Sequence, residues 1–322
     1  MDGAVRVRVP ATSANLGPGF DALGLALSLH DMVEARTDRP GLTIEVAGHG
    51  AATADAGEAH LVVRAMRATF GILDGQPPGL ALRCANRIPH GRGLGSSAAA
   101  IVSGVLAARA LTDRGADRLP LDAVLKLTTE LEGHPDNVAA CLLGGLTIAW
   151  TGDSGAAAIR LPTLHTIVPA VLVAPEPLAT ETARGVLPAS VPHRDAAANA
   201  ARSALLVAAL TSVPGALLEA TRDWLHQSYR SAVMPVTAEL VGRLRDAGVP
   251  AVVSGAGPSV LAFLVRPPTG DGEPGRARLD VLDSIARDMG IGWDISVLDV
   301  DRRGASIQSV TPGSVPAGGT PQ

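Results

Sequence analysis

Glycine at every second position, in the run Pro89-His-Gly-Arg-Gly-Leu-Gly-Ser-Ser-Ala-Ala-Ala100, constrains this chain more than any other stretch. Gly91, Gly93 and Gly95 let the backbone turn tightly and approach a neighbour closely, because no Cβ stands in the way. Ser96 and Ser97 then open an Ala-rich segment, through Leu111, whose composition predicts a helix. The unpaired N–H groups at such a helix start, aided by the macrodipole, suit polyphosphate oxygens. The segment is not a Walker A loop. Its glycines do not form G-x-x-x-x-G-K-[ST], and Lys126, the one lysine in the chain, lies outside it. Taken alone, the run is either a different class of nucleotide loop or a flexible turn.

A chain of 322 residues suits two compact domains sharing one cleft. Apolar residues make up 47% but aromatic residues only 2%, so the core must rest on Ala, Val, Leu and Ile. The net charge of −4 and the lack of a basic run argue against nucleic acid as a partner. The N-terminus has no apolar signal core, and no uncharged apolar stretch of about 18 residues occurs. A cytoplasmic protein with no membrane association is therefore expected. Cys84 and Cys141 stand far apart without a C-x-x-C or a His/Cys cluster, which predicts buried thiols rather than a disulfide framework or a zinc site.

Strands are expected at Val5–Val9, Leu23–Ala35, Leu42–Val46 and Leu80–Asn86, in an antiparallel sheet, with a helix over Ala59–Leu73. After the loop helix come helices at Leu121–Leu131 and from about Pro135, and a strand at Gly145–Trp150. The Gly/Ala/Asp/Ser stretch Thr151–Ala158 marks the expected domain boundary, giving domains of residues 1–155 and 156–310. In the second, strands are predicted at His165–Ala174, Ala251–Ser254, Val260–Val265, Trp293–Asp299 and Ala305–Val310. Helices are predicted at Thr180–Leu187, Arg194–Leu210, Gly215–Leu225, Val236–Ala247 and Arg276–Gly290. Pro267–Gly275 reads as a surface loop, and the Pro/Gly-rich residues 311–322 as a disordered tail. This mixture indicates an α+β pair of domains rather than a doubly wound parallel sheet.

Two further motifs are dense in polar chemistry. Pro10-Ala-Thr-Ser-Ala-Asn-Leu-Gly-Pro-Gly-Phe-Asp-Ala-Leu-Gly24 holds Asn15 and Asp21 in a glycine-rich turn. Asp21 could meet an ammonium group with Asn15 beside it, or the pair could form an Asx-turn and a cap. Glu130-Leu-Glu-Gly-His-Pro-Asp-Asn-Val138 gathers Glu132, His134, Asp136 and Asn137 between two helical stretches. A carboxylate near a phosphate cradle is what Mg²⁺ requires, since that ion takes hard oxygen ligands. Asp136-Asn137 also reads as the polar first turn of a helix opened by Pro135.

The loop Pro89–Ala100 resembles the second signature of the GHMP small-molecule kinases, and Gly255-Ala-Gly-Pro-Ser259 their third, a glycine turn packed on the phosphate loop. Asn15-Leu-Gly-Pro-Gly-Phe-Asp21, together with Glu132-Gly-His-Pro-Asp-Asn137, resembles the pattern of the homoserine kinases among them. The resemblance runs in motif order from about Val5 to Asp299. It implies a two-domain α+β GHMP kinase fold, with a ribosomal-protein-S5-domain-2-like N-terminal half and a ferredoxin-like C-terminal half. It implies transfer of the γ-phosphoryl group of ATP to L-homoserine, giving O-phospho-L-homoserine and ADP in threonine biosynthesis.

The same resemblance assigns residues. Backbone N–H groups of Gly91, Arg92, Gly93, Leu94, Gly95, Ser96 and Ser97 would wrap the ATP phosphates, Pro89 being the first residue of that binding loop, with the Arg92 side chain either adding charge or facing solvent. Ser97 and Glu132 would hold Mg²⁺. Asp21 would bind the amino group of homoserine, while Asn15, Asp136 and Asn137 would lie beside its hydroxyl. Thr180 and Arg184 match the carboxylate-binding stretch, and Arg230 in His226-Gln-Ser-Tyr-Arg230 matches its partner arginine. Nothing else in the sequence sets these two arginines apart. Asp136 is the nearest candidate base, orienting the hydroxyl if it does not remove its proton, and His134 reads as a packing residue. His60, before Leu61-Val-Val, stands where the family often carries an Asn near the nucleotide base. Family members are often dimers, so a homodimer is allowed, though no stretch marks an interface.

Three other readings compete. A GHMP kinase acting on mevalonate or a sugar would not need Asp21 opposite two arginines, since neither acceptor carries an ammonium group. A regulatory protein that kept only the pocket would not need Ser97 and Glu132. An NAD-dependent dehydrogenase would need G-x-G-x-x-G, and Gly91-Arg-Gly-Leu-Gly-Ser96 lacks the last glycine.

Overall fold

The computed structural model describes residues 4–37, 40–53, 55, 57–73, 75–266 and 276–310. The first half begins β1 (Ala4–Ala14), β2 (Leu23–Arg36), β3 (Gly41–Gly48), α1 (Leu61–Ile72), β4 (Gly79–Asn86) and α2 (Ser96–Leu111). It continues through α3 (Gly115–Arg118), α4 (Leu121–Glu132), α5 (Pro135–Leu143), β5 (Leu146–Gly152) and β6 (Gly155–Leu161). The second half runs β7 (Ile167–Val173), α6 (Thr180–Gly185), α7 (His193–Thr211), α8 (Leu217–Ala220), α9 (Gln227–Arg230) and α10 (Pro235–Asp246). Then come β8 (Ala251–Val253), β9 (Val260–Val265), α11 (Arg276–Asp288) and β10 (Asp294–Val297), before β11 (Ser306–Val310) returns to the first sheet.

The first sheet has the order β11-β1-β2-β4-β3. The long strand β2 serves two further neighbours on one side: Met32–Arg36 pairs with β4, and Leu23–Leu25 pairs with β5. The expected antiparallel arrangement holds for β1, β2, β4, β5, β6 and β11 but not for β3, which lies parallel to β4. The crossover through α1 causes this, because a connection that carries a helix returns the chain in the same direction. The second sheet, β10-β7-β9-β8, is antiparallel throughout and carries the ferredoxin-like half.

Thr151–Ala158, read as a boundary, is instead a hairpin. Gly152 pairs with Gly155 across Asp153-Ser154, and β6 extends the first sheet. Gly, Asp and Ser are residues of both linkers and tight turns, so composition could not separate the two. The chain leaves the first sheet over residues 162–166. The helix expected over Gly215–Leu225 stops at Ala220, and the Asp223 carboxylate then accepts the N–H groups of Leu225, His226 and Gln227 to start α9. The one-turn helices α3 and α9 and the strand β6 were not foreseen. Pro267–Gly275 and residues 311–322 lie outside the described residues.

Helix α2 is the centre of the first half. Ala98, Ala99, Val102, Val105 and Ala108 are all buried, and Gly104 brings α1 so close that a Cβ there would sit 2.6 Å from the Val62 carbonyl oxygen. With few aromatic rings, density comes from many small contacts, each fully buried Val or Leu contributing roughly 1.5–3 kcal/mol. The same buried cluster includes Leu16 and Leu94 of the first half and Val252, Leu261 and Phe263 of the second. Cys84 and Cys141 are free, buried thiols.

Candidate active site

The loop before α2 shows why its glycines alternate. Gly91, Gly93 and Gly95 all adopt left-handed φ values, 65°, 69° and 71°, which other residues reach only with strain. A Cβ on Gly93 would overlap the Ser254 carbonyl oxygen, and one on Gly95 would overlap the Thr12 hydroxyl. The turn at Gly255 thus packs directly on the loop, with Ser254 Oγ donating to Gly93 O at 2.7 Å. Gly95 caps α2 without a side chain, so the first N–H groups of a sixteen-residue helix face the cleft unclaimed by any cap.

Opposite them, Ser97 Oγ donates to Glu132 Oε2 at 2.7 Å. Glu132 ends α4 where Gly133, at φ 93°, turns the chain into α5. Burial pushes the Glu132 carboxyl above its ordinary range, against the Ser97 hydrogen bond and the neighbouring His134. His134 Nδ1 meets Asp136 Oδ1 at 2.7 Å, and the Asn137 N–H donates to the same oxygen. Burial alone would lower the His134 pKa, but Asp136 and Glu132 together raise it. Thr12 Oγ donates to Asn137 Oδ1 at 2.7 Å, which fixes Asn137 from β1.

The first turn is held by three non-glycine residues at positive φ: Asn15, Leu16 and Asp21. Asn15 is a bridge. Its Nδ2 donates to Gly255 O at 2.8 Å, and its Oδ1 accepts the Asp21 N–H at 2.9 Å. Asp21 and Arg184 form a two-pronged ion pair, Nη2 to Oδ1 at 2.6 Å and Nη1 to Oδ2 at 3.2 Å. Arg230 is 1% exposed and donates through Nε to Ala183 O at 3.0 Å. Burial, and then the charge of Arg184, lower its pKa to about 10, so it stays a cation at neutrality.

One cleft is lined by Asn15, Gly91, Gly93, Gly95, Ser96, Ser97, Glu132, His134, Asp136, Asn137, Thr180, Arg184 and Arg230. Residues from the three sequence motifs and the two arginine segments therefore converge. Four expected residues stand apart. Pro89 and Leu94 do not line the cleft, Leu94 being buried in the core. Asp21 is turned onto Arg184. Arg92 is the clearest correction to a charge over the loop: its guanidinium donates to the carbonyls of Ala174, His90 and Pro175, so it anchors the loop to the second half.

A second cavity opens on the other side of Ser96 and Ser97, with Asp31, His60, Asn86, His90 and Ser103 in its wall. His60 Nδ1 is buried there with no hydrogen-bond partner among the described residues. Burial lowers the His60 pKa, which favours a neutral ring. Of this wall sequence reasoning singled out only His60, missing Asp31, Asn86 and Ser103, and it missed Thr12, Phe20 and His226. Phe20 carried a signal, being one of only three phenylalanines. Among the described residues no group of three or more His, Cys, Asp or Glu could cage a metal. The hydroxyl and carboxylate of Ser97 and Glu132 are nonetheless the hard oxygen pair that suits a cation whose remaining ligands come from phosphate and water.

The family model for the GHMP kinases N terminal domain matches residues 59–145, and that for GHMP kinases C terminal matches residues 195–289. A homoserine kinase of Streptomyces coelicolor is 55% identical over 304 residues, 94% of this chain and 94% of that protein. The crystal structure of homoserine kinase from Cytophaga hutchinsonii is similar at a TM-score of 0.80 and 26% identity, covering 96% of this chain and 98% of that one. Mevalonate diphosphate decarboxylase from Staphylococcus aureus, at 14% identity and a TM-score of 0.65 over 96% and 98% of the two chains, shares the fold.

Proposed function

Because the chain belongs to the homoserine kinases of the GHMP family, we propose that the cleft between its halves is where phosphoryl transfer takes place. The protein is a phosphotransferase that acts on the hydroxyl of homoserine, uses ATP and serves threonine biosynthesis. The observation that carries the assignment of the cleft is the convergence of the unclaimed α2 N-terminus, the Ser97–Glu132 pair and two arginines.

The loop from Gly91 to Ser97 holds the phosphates on backbone N–H groups, and the nucleoside lies in the second cavity beside His60. Ser97 and Glu132 would hold Mg²⁺, which supplies charge neutralisation at the phosphates when bound. The homoserine hydroxyl lies by Asp136 and Asn137. His134 and the Asn137 N–H both engage Asp136 Oδ1, so Oδ2 is the oxygen that receives the hydroxyl hydrogen. The hydroxyl oxygen bonds to the γ-phosphorus as the bond to the β–γ bridging oxygen breaks, and ADP leaves. Such a transfer needs positioning and charge neutralisation more than a strong base. Asn15, with both ends of its amide engaged, positions the turn rather than touching the reacting atoms. Thr180, Arg184 and Arg230 receive the carboxylate. A cytoplasmic location is proposed on the sequence pattern and a homodimer on the resemblance; no helix of the described residues is long and apolar enough to cross a membrane.

The test is ADP release from Mg-ATP with L-homoserine, L-threonine, L-serine, mevalonate or galactose as acceptor. Selectivity for homoserine is expected. Arg184→Ala and Arg230→Ala should each raise the homoserine KM about tenfold or more while leaving the ATP KM near its starting value, because charge-assisted hydrogen bonds contribute roughly 1.5–3 kcal/mol. Ser97→Ala and Glu132→Ala should instead lower kcat. Unchanged homoserine dependence in both arginine variants would displace the assigned carboxylate site.

A further inference from the structure

The hydrogen-bond partners of Arg230, namely Ala183, His226 and Gly255, all lie in the second half of the molecule, and one of them is an unusual choice. Arg230 Nη1 lies 3.3 Å from Gly255 O and 3.0 Å from Nδ1 of His226, a histidine with no exposed surface. Guanidinium nitrogen only donates, so Nδ1 must carry the lone pair and the ring proton must sit on Nε2. Nε2 then donates to the Gly17 carbonyl at 2.8 Å, in the turn between Asn15 and Asp21. The ring thereby relays donation one way, from the Arg230 guanidinium to the Gly17 carbonyl of the first half.

The surroundings fit a neutral ring. Phe20 packs on it, ring centroids 5.2 Å apart, and the Phe20 centroid also lies 5.5 Å from Arg230 Cζ and 5.8 Å from Arg184 Cζ. Two guanidinium groups thus share one aromatic ring. The charged groups facing His226 are Arg230 on α9, Asp223 just before α9, with Oδ1 3.7 Å from Nε2, and Asp21 in the first turn. Burial outweighs Asp223 and, with Arg230, lowers the His226 pKa. Protonation would remove the acceptor that Nη1 uses and set a cation against a cation.

We propose that His226 is a positioning residue for amino-acid specificity: through a fixed Nε2–H tautomer it sets Arg230, and so the carboxylate end of the acceptor site. This rests on the acceptor being homoserine. His226 touches neither substrate nor reacting atoms, and it acts through Arg230 alone.

The experiment compares the full-length protein with His226→Leu, which removes donor and acceptor, and His226→Gln, which keeps one of each. Acceptors are L-homoserine and 3-aminopropan-1-ol, the same alcohol without its carboxylate. Expected for His226→Leu is a rise of about tenfold or more in homoserine KM, with the ATP KM within about twofold and 3-aminopropan-1-ol turnover unchanged. His226→Gln should recover most of the loss, and His226→Leu should add nothing in an Arg230→Lys background. Equal losses for both acceptors, or additive effects in the double variant, would overturn the proposal. Nitrogen-15 spectra of the unmutated protein decide the tautomer even if the leucine variant does not fold. A proton on Nδ1 would refute the link, whereas absent homoserine turnover by the unmutated protein would count against the substrate instead.

Discussion

Asp21 and Arg184 neutralise each other, although each is also read as host to one end of a zwitterion. Their side chains are 37% and 36% exposed, so the pair itself contributes only about 0.2–1 kcal/mol and can be exchanged readily. A substrate with both charges replaces one ion pair by two. A ligand with a carboxylate alone must take Arg184 from Asp21 and leave that carboxylate unpaired. Asp21→Asn should therefore raise the homoserine KM about tenfold or more, while 4-hydroxybutyrate, which lacks the amino group, binds more tightly than before. Asn also tolerates the φ of 54° at this position, so the backbone is not the variable. Competition assays with both ligands decide it, and parallel weakening of the two would show that the ion pair plays no part in selection.

At the scale of elements, the return of the chain to the first sheet hangs on Asp301. Its Oδ1 accepts the N–H groups of Arg303 and Gly304, and its Oδ2 meets His30 Nε2 on β2 at 2.5 Å. Its backbone N–H donates to Ala26 O, and its carbonyl receives the Gly145 N–H. Burial would raise the carboxyl pKa, but His30 and the two backbone donors outweigh it and hold the group below its ordinary value of 3.8. A depressed value means stability that is full above 3.8 and is lost as the pH falls through the folded-state value. Asp301→Asn should cost roughly 1–3 kcal/mol near pH 7, with the gap closing in acid. Denaturant unfolding at pH 7 and at about pH 3 checks this, and a gap that persisted in acid would place the cause outside the carboxylate charge.

For the whole molecule, the continuous core bears on cooperativity. Leu16 and Leu94 share a buried cluster with Val252, Leu261 and Phe263, and Asn15, Arg92 and His226 add polar links between the halves. An interface this apolar resembles a divided core more than a contact between independent domains. Calorimetry should show one unfolding transition, moved upward as a unit by Mg-ATP and homoserine together. Two resolved transitions would mean that the halves unfold separately despite the shared cluster.

The limits of α2, Ser96–Leu111, were legible because they depend on neighbours in sequence: glycine before, small helix formers within. The same holds for the start of α5 at Pro135 and for the strands β2 and β4, whereas β1 was expected only over Val5–Val9 and runs on to Ala14. The family rested on a resemblance carried by Asn15–Asp21, Pro89–Ala100, Glu132–Asn137 and Gly255–Ser259, because local chemistry alone left each of these open between a ligand site and an ordinary turn or cap. What only the tertiary structure decided are matters of long-range pairing. Composition allowed Thr151–Ala158 to be a linker until β5 and β6 paired across it. The Arg92 side chain was open between a charge over the phosphates and a solvent-facing arginine until three carbonyls from two segments claimed it. Only the resemblance set Arg184 and Arg230 apart, and nothing set His226 apart, until Gly17, Phe20 and Asp21, more than 160 positions earlier in the sequence, met them. Local conformation follows from bonded neighbours and side-chain shape, whereas the partner a buried charge finds is set by which segments the packed core brings together.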